Sequence, residues 1–329
     1  MNTAPQRKKC ATPNPIRWDA HGCPPFKIGA DLSFLKRYKN SGINFISLNV
    51  GFDLTTKTET LQLINYFRQW VHEHSDDYVI IENVQELLEC QTKNKLGIAF
   101  DLEGCNLLDG QLDMVSQFYS LGVRQMVFAY NTNNLSGGGC FDIDTGLTNF
   151  GKQLVKECNR AGMVIDCSHV GYQTSLDIIN LSEHPVVFSH SNPATLVQHP
   201  RNITDAQIIA CAAKGGVIGI NGIGLFLGNN ELLAEKIVEH IDYVASLVGA
   251  QHVGIGLDCV FDENEVQDFV KNNPSTFPPK YGFTNDVVVA EPEQFSTIAE
   301  LLALRDYCES DINHILGENF LRVAKAVWR

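Results

Sequence analysis

The 329-residue sequence predicts an α/β fold, a TIM (β/α)8 barrel with extra helices at its C-terminal end. Three observations predict it. Short apolar runs rich in β-branched residues alternate with longer stretches of helical period, the pattern of βαβ units around a parallel sheet. Those runs number eight. The first leads into His21-Gly22-Cys23-Pro24-Pro25, not into the glycine fingerprint that an open doubly wound sheet carries at that turn.

In chain order the expected strands are 16–21, 43–50, 96–103, 123–130, 163–169, 185–190, 216–221 and 252–258. The expected helices between them are 31–40, 59–73, 113–121, 150–161, 172–181, 204–214 and 231–248. Several carry end signals: Thr204 with Gln207 forms a capping box, and Gly42, Gly122, Gly162 and Gly215 stand where helices should stop. A polar stretch, 259–294, with prolines at 274, 278, 279 and 292, follows the eighth strand. It reads equally as a lid at the barrel mouth, a partner surface or a tolerated insertion. Two or three helices then close the chain from Phe295 to Trp328. Residues 1–15 form a polar, basic tail, and 16–329 a single barrel domain. Gly137-Gly138-Gly139 lacks the Lys-Ser/Thr that a phosphate loop needs and reads as a flexible turn.

Composition narrows the function. With 25 Lys and Arg against 38 Asp and Glu, the net charge is −13, which argues against a surface built to bind phosphate backbones. No apolar run approaches the ~18 residues of a membrane span. The polar start lacks the apolar core of a secretory signal. Ten cysteines scattered without a framework read as reduced thiols of a cytoplasmic protein.

The chemistry lies at the strand ends. The first, third, fifth, sixth and eighth strands finish in His21, Glu103, His169, His190 and Asp258. In a barrel all the C-terminal ends share one mouth, so these five groups should converge on one pocket. One histidine at a strand end is ordinarily a hydrogen-bonded rim residue; five ionisable groups in one positional role are hard to explain as coincidence. Imidazole, thiolate and carboxylate are zinc's donors. Cys23, two residues after His21, faces the same way along an extended segment. It either completes a ligand set with His21 and Glu103 or is a small buried hydrophobe. Arg201, followed by Asn202, lies on a mouth loop, as a carboxylate clamp or as a solvated charge. Tyr130 either polarises a carbonyl or caps the barrel.

These residues resemble the membrane (renal) dipeptidase family, peptidase family M19. Val164-Ile165-Asp166-Cys167-Ser168-His169-Val170 is similar to its fifth-strand metal motif. Phe188-Ser189-His190-Ser191 and His199-Pro200-Arg201-Asn202 resemble the next. Gly254-Ile255-Gly256-Leu257-Asp258 and Ile315-Leu316-Gly317-Glu318-Asn319-Phe320 resemble the eighth-strand and C-terminal helix motifs. Asp101-Leu102-Glu103-Gly104 occupies the place of the bridging glutamate. The resemblance runs from about Trp18 to Val323. Two positions depart from it: Cys23 stands where the family's His-x-Asp has its carboxylate, and Tyr130 stands where the family often has histidine.

The resemblance implies a barrel of the metallo-dependent hydrolase type and a zinc site of one or two ions per chain. Glu103 would bridge, His21 would bind one ion, and His169 with His190 the other. Asp258 would shuttle the proton, and Arg201, with Tyr130 and Asn202 beside it, would hold the substrate. The expected reaction is cleavage of a dipeptide, or a similar small carboxylate-bearing amide, by metal-activated water. Rival readings are an amidohydrolase acting on another amide or lactam, and a non-hydrolytic tailoring or binding protein with a degenerate metal site. The expected partners are the small-molecule substrate and, by resemblance, a second copy in a homodimer, with neither nucleic acid nor membrane.

Overall fold

A computed structural model describes residues 15–283 and 287–329, apart from the side chain of Glu265. The expected tail, 1–15, lies outside the described residues except at Pro15. Ten strands form one parallel sheet: β1 (Trp18–Cys23), β2 (Phe45–Phe52), β3 (Tyr78–Ile80), β4 (Leu96–Glu103), β5 (Val123–Val127), β6 (Val164–Asp166), β7 (Val187–Phe188), β8 (Val217–Asn221), β9 (Val253–Gly256) and β10 (Cys259–Val260). The order is β10-β1-β2-β4-β5-β6-β7-β8-β9, with β3 on the edge of β4. β9 and β10 are one stave interrupted at Leu257 and Asp258. Gly22 pairs with Cys259, and the Asp258 N–H donates to the His21 carbonyl at 3.1 Å, which closes the barrel. Asp19 reinforces the seam from inside, its Oδ1 accepting from Leu257 N–H at 2.8 Å.

The helices are α1 (Leu35–Asn40), α2 (Lys57–Glu73), α3 (Val84–Thr92), α4 (Met114–Ser120), α5 (Asn149–Ala161), α6 (Tyr172–Leu181), α7 (Asp205–Ala213), α8 (Gly224–Leu227), α9 (Leu233–Val248), α10 (Glu263–Asn272), α11 (Gln294–Leu304), α12 (Glu309–Asn313) and α13 (Asn319–Val327). Local chemistry starts α7 where the sequence indicated, whereas α1 begins four residues later than expected, α2 two residues earlier, and α3 was not expected. Thr204 caps α7 in a reciprocal box with Gln207, and Thr56 caps α2 in the same way with Glu59.

The expected strands exist; β1 and β2 end two residues later than expected, β4 and β8 end as expected, and the other four stop short at their C-terminal ends. β5 stops at Val127 instead of residue 130, β6 at Asp166 instead of 169, and β9 at Gly256 instead of 258. The chain leaves the ladder there because Asn131, His169 and Asp258 take left-handed backbone angles, φ 62°, 63° and 58°. Two short strands were not expected. β3 pairs with the N-terminal half of β4 (Tyr78 with Leu96), and β5 takes over that edge from Phe100 onward. The stretch 259–294 is not structureless: it holds β10, α10 and a 3-10 turn at Pro279–Tyr281. α13 plugs the opposite end. Phe320 enters where Gly254 has no side chain, a Cβ there lying 2.3 Å from the ring.

Candidate metal centre

At the open end, six side chains meet: the five that the strand ends indicated, and Cys23. β1 carries His21 and Cys23 on one side of the pocket, β4 delivers Glu103, and the loops after β6 and β7 deliver His169 and His190. Glu103 Oε1 lies 3.1 Å from His169 Nε2, 3.2 Å from His190 Nε2 and 3.6 Å from His21 Nε2. His169 Nε2 and His190 Nε2 are 2.9 Å apart. Asp258 Oδ1 lies 3.6 Å from His21 Nε2 and 3.2 Å from Cys23 Sγ.

Supporting hydrogen bonds fix which ring nitrogen faces the pocket. His169 Nδ1 meets Asn131 Oδ1 at 2.7 Å, and the Asn131 amide is oriented by donating to the Thr276 carbonyl at 3.2 Å. His190 Nδ1 meets Ser189 Oγ at 2.6 Å, while that hydroxyl donates to Asp166 Oδ2. His21 Nδ1 meets Asp101 Oδ2 at 3.2 Å. Each ring therefore donates from Nδ1 and presents Nε2 inward. For His169 and His190, burial, with Arg201 and His21 nearby, pushes the pKa well below the ordinary imidazole value. Both rings are neutral, and their two lone pairs face a carboxylate oxygen.

Such a set lacks a positive partner. Glu103 Oε1 is buried without a hydrogen-bond donor, and burial pushes its pKa up to about 8. Burial also disfavours charge on His21, but Asp101, Glu103 and Cys23 prevail and hold its pKa well above the ordinary value. The position favours positive charge. The nitrogen lone pairs of His169 and His190, converging on a carboxylate oxygen that receives no hydrogen bond, are what a divalent cation satisfies, so the residues fit a metal centre.

Asp258 is held by Asn221, whose Nδ2 donates to Oδ2 at 2.9 Å, leaving Oδ1 toward the ligands. Tyr130 stacks its ring on His169 at 4.2 Å, and burial raises its pKa, so the phenol keeps its proton. Arg201 is 3% exposed; it donates to the His190 carbonyl at 3.0 Å and leaves Nε unpartnered. It lines a cavity of about 490 Å³ together with His169, Cys140, Asp142, Tyr172 and His199, a small-ligand volume. Asn202 also lines that cavity but spends its amide donors on the Val197 and Phe226 carbonyls. Residues 276–281 of the stretch after β9 roof the mouth. Tyr281 O accepts from His199 Nε2 at 2.9 Å, and Phe277 packs edge-on against Tyr130.

Gly137-Gly138-Gly139 is buried and tightly packed, contrary to the flexible turn expected. A Cβ on Gly139 would lie 2.2 Å from the Asn131 carbonyl carbon, so glycine there lets the loop press on the residue that orients His169. Sequence reasoning missed the supporting residues Asp101, Asn131, Asp166, Ser189 and Asn221. Asp101 alone had a visible signal, two residues before Glu103 and on the same strand face.

The membrane dipeptidase family, peptidase family M19, matches over residues 40–273. The chain belongs to this family. Glu103, His169, His190, Arg201 and Asp258 lie inside that M19 match; His21 and Cys23 precede it. An uncharacterized dipeptidase of Schizosaccharomyces pombe is 30% identical over 224 residues, 65% of this chain and 54% of that protein. Dipeptidase verJ of Clonostachys rogersoniana is 30% identical over 271 residues, 82% of this chain and 65% of that one. The chain thus spans about half to two thirds of the length of these curated relatives. Among solved structures, an amidohydrolase from Pseudomonas aeruginosa superposes with a TM-score of 0.87 at 27% identity, covering 95% of this chain and 97% of that one. A metallo peptidase from Rhodobacter sphaeroides liganded with a phosphinate mimic of L-Ala-D-Ala shares the fold, with a TM-score of 0.77 at 19% identity over 96% of this chain and 100% of that one. Among the described residues, no helix is long and apolar enough to cross a membrane.

Proposed function

We propose that this M19 chain is a zinc-dependent hydrolase that cleaves the amide bond of dipeptides or similar small carboxylate-bearing amides. The observation that carries the reading is the convergence of three imidazole Nε2 atoms on Glu103 Oε1, beside Asp258 and next to the cavity that His169 and Arg201 line. Glu103, His169 and His190 would hold one cation, and His21 with Glu103 a second. Zinc bound there supplies Lewis acidity to the scissile carbonyl and to the attacking water.

The chain's own residues do the rest. Arg201, buried and lining the cavity, takes the substrate's carboxylate and sets its register. The Tyr130 hydroxyl donates to the carbonyl oxygen as charge develops there. Asp258 Oδ1 takes the proton of the attacking water and returns it to the leaving amine, while Asn221 keeps Oδ2 from turning inward. The roof formed by 276–283 limits the mouth to small substrates. The names of the two curated relatives support a dipeptide over a lactam. Reduced thiols and the acidic surface fit a cytoplasmic enzyme, and a homodimer remains the assembly that the resemblance implies.

The test is a zinc-supplemented hydrolysis panel of L,L- and L,D-dipeptides read by mass spectrometry, with Asp258→Asn as blank. Cleavage by the wild type, lost by at least a hundredfold in Asp258→Asn while bound metal is unchanged, is expected. No cleavage across the panel, or an Asp258→Asn protein that keeps most of its kcat, overturns the proposal.

A further inference from the structure

The two sides of Glu103 are chemically unlike. On the far side both neighbours are imidazoles. On the β1 side the ligand atoms within 4.8 Å of one another are those of His21, Cys23 and Asp258, so a sulfur stands among them. Cys23 Sγ lies 3.5 Å from His21 Nε2 and 3.2 Å from Asp258 Oδ1. Its surroundings differ from those of the chain's packing cysteines. Cys105, Cys158, Cys167, Cys211 and Cys259 belong to the main apolar cluster and Cys90 to the second, whereas Cys23 belongs to neither. A side chain whose neighbours are an imidazole nitrogen and a carboxylate oxygen is not filling an apolar gap.

Resting on the metal-centre reading above, we infer that Cys23 binds the β1-side cation as a thiolate beside His21, so that the centre has two unlike positions. When the ion binds, the S–H bond breaks, a sulfur–metal bond forms and one proton leaves to solvent. Thiolate is a soft donor, so this position takes zinc, cobalt or cadmium in preference to magnesium or manganese. The Glu103–His169–His190 position, without sulfur, discriminates less. The chain is therefore tuned to a borderline-soft metal at one position of the pair.

Cobalt(II) reports the bond directly. The full-length protein, stripped by chelation and titrated with cobalt, is expected to develop a thiolate-to-cobalt charge-transfer absorption in the near ultraviolet. Cys23→Asp and Cys23→Ser should lose it while keeping the visible cobalt bands and the wild-type circular dichroism. Cys308→Ser, at an exposed cysteine, should retain it. In competition, Cys23→Asp should shift the zinc-over-manganese preference toward manganese by at least tenfold. A wild-type protein with bound cobalt but no charge-transfer band, or a band that survives in Cys23→Asp, overturns the inference. Dipeptide hydrolysis measured in parallel separates the two claims. Hydrolysis without the band removes the thiolate ligand and leaves the proposed function; the band without hydrolysis does the reverse.

Discussion

Asp101 is a carboxylate that never reaches the pocket, yet one face of the centre depends on it. Its Oδ2 receives His21 Nδ1 at 3.2 Å and its Oδ1 accepts from Asn49 at 3.1 Å, so the imidazole has one orientation. Asp101→Asn leaves the volume and removes the charge that fixes the ring. Metal affinity on the β1 side should fall by about 10–100-fold, as is usual when such a partner is lost, with the melting temperature little changed. Isothermal titration of the stripped protein measures it, and an unchanged affinity would mean that His21 is held by packing alone. Gly139→Ala attacks the other face through the backbone. The added Cβ meets the Asn131 carbonyl carbon at 2.2 Å and displaces the partner of His169. A cost of about 1–3 kcal/mol in denaturant unfolding is expected, together with weaker metal binding. Full stability in the variant would show that the loop yields.

At the scale of elements, α9 carries a liability away from the pocket. His240 is buried in it, its Nδ1 without a partner, and burial pushes its pKa down to about 4. Glu239 opposes that shift and Lys236 adds to it. Because the folded pKa lies below the unfolded value of about 6.5, the neutral ring stabilises the fold fully above pH 6.5, and that contribution is lost as pH falls toward 4. Between pH 7 and 5 the loss is on the order of 2 kcal/mol. Urea unfolding at both pH values should show His240→Gln to be less acid-sensitive than wild type by that amount; equal sensitivity would assign the effect to other groups. Elements were also where the sequence spoke most clearly. α6 and β4 fall on their expected bounds, because an apolar pattern of helical or strand period is a local signal. β3 was illegible, since three residues on a shared edge carry no period of their own. The strand-end residues were legible because a barrel gathers them in one place. Their supports, Asn131 and Asn221, were not, because an asparagine on a left-handed turn or at a strand end reads the same whether it faces solvent or a histidine.

For the whole molecule, the barrel's two extremes meet at the centre. His21 and Cys23 come from the first stave and Asp258 from the last, joined through the Asp258 N–H on the His21 carbonyl and the Asp19 carboxylate on Leu257 N–H. A cation held by His21 and Cys23 at this seam would stabilise the closed barrel by mass action, about 4 kcal/mol when the free ion stands a thousandfold above its dissociation constant. Dialysis against a chelator should lower the melting temperature by several degrees, and zinc should restore it. A melting temperature indifferent to the chelator would place the ligands on a frame already rigid without them.

That seam has a further consequence. A chain that lays its last stave one residue out of step turns Asp258 to the wrong face, away from His21 and Cys23. Under the proposed mechanism such a copy binds metal but lacks its proton shuttle, so it stays inert. The carboxylate then acts as an inspector of the finished barrel, and activity is issued only to copies whose first and last strands have met in register.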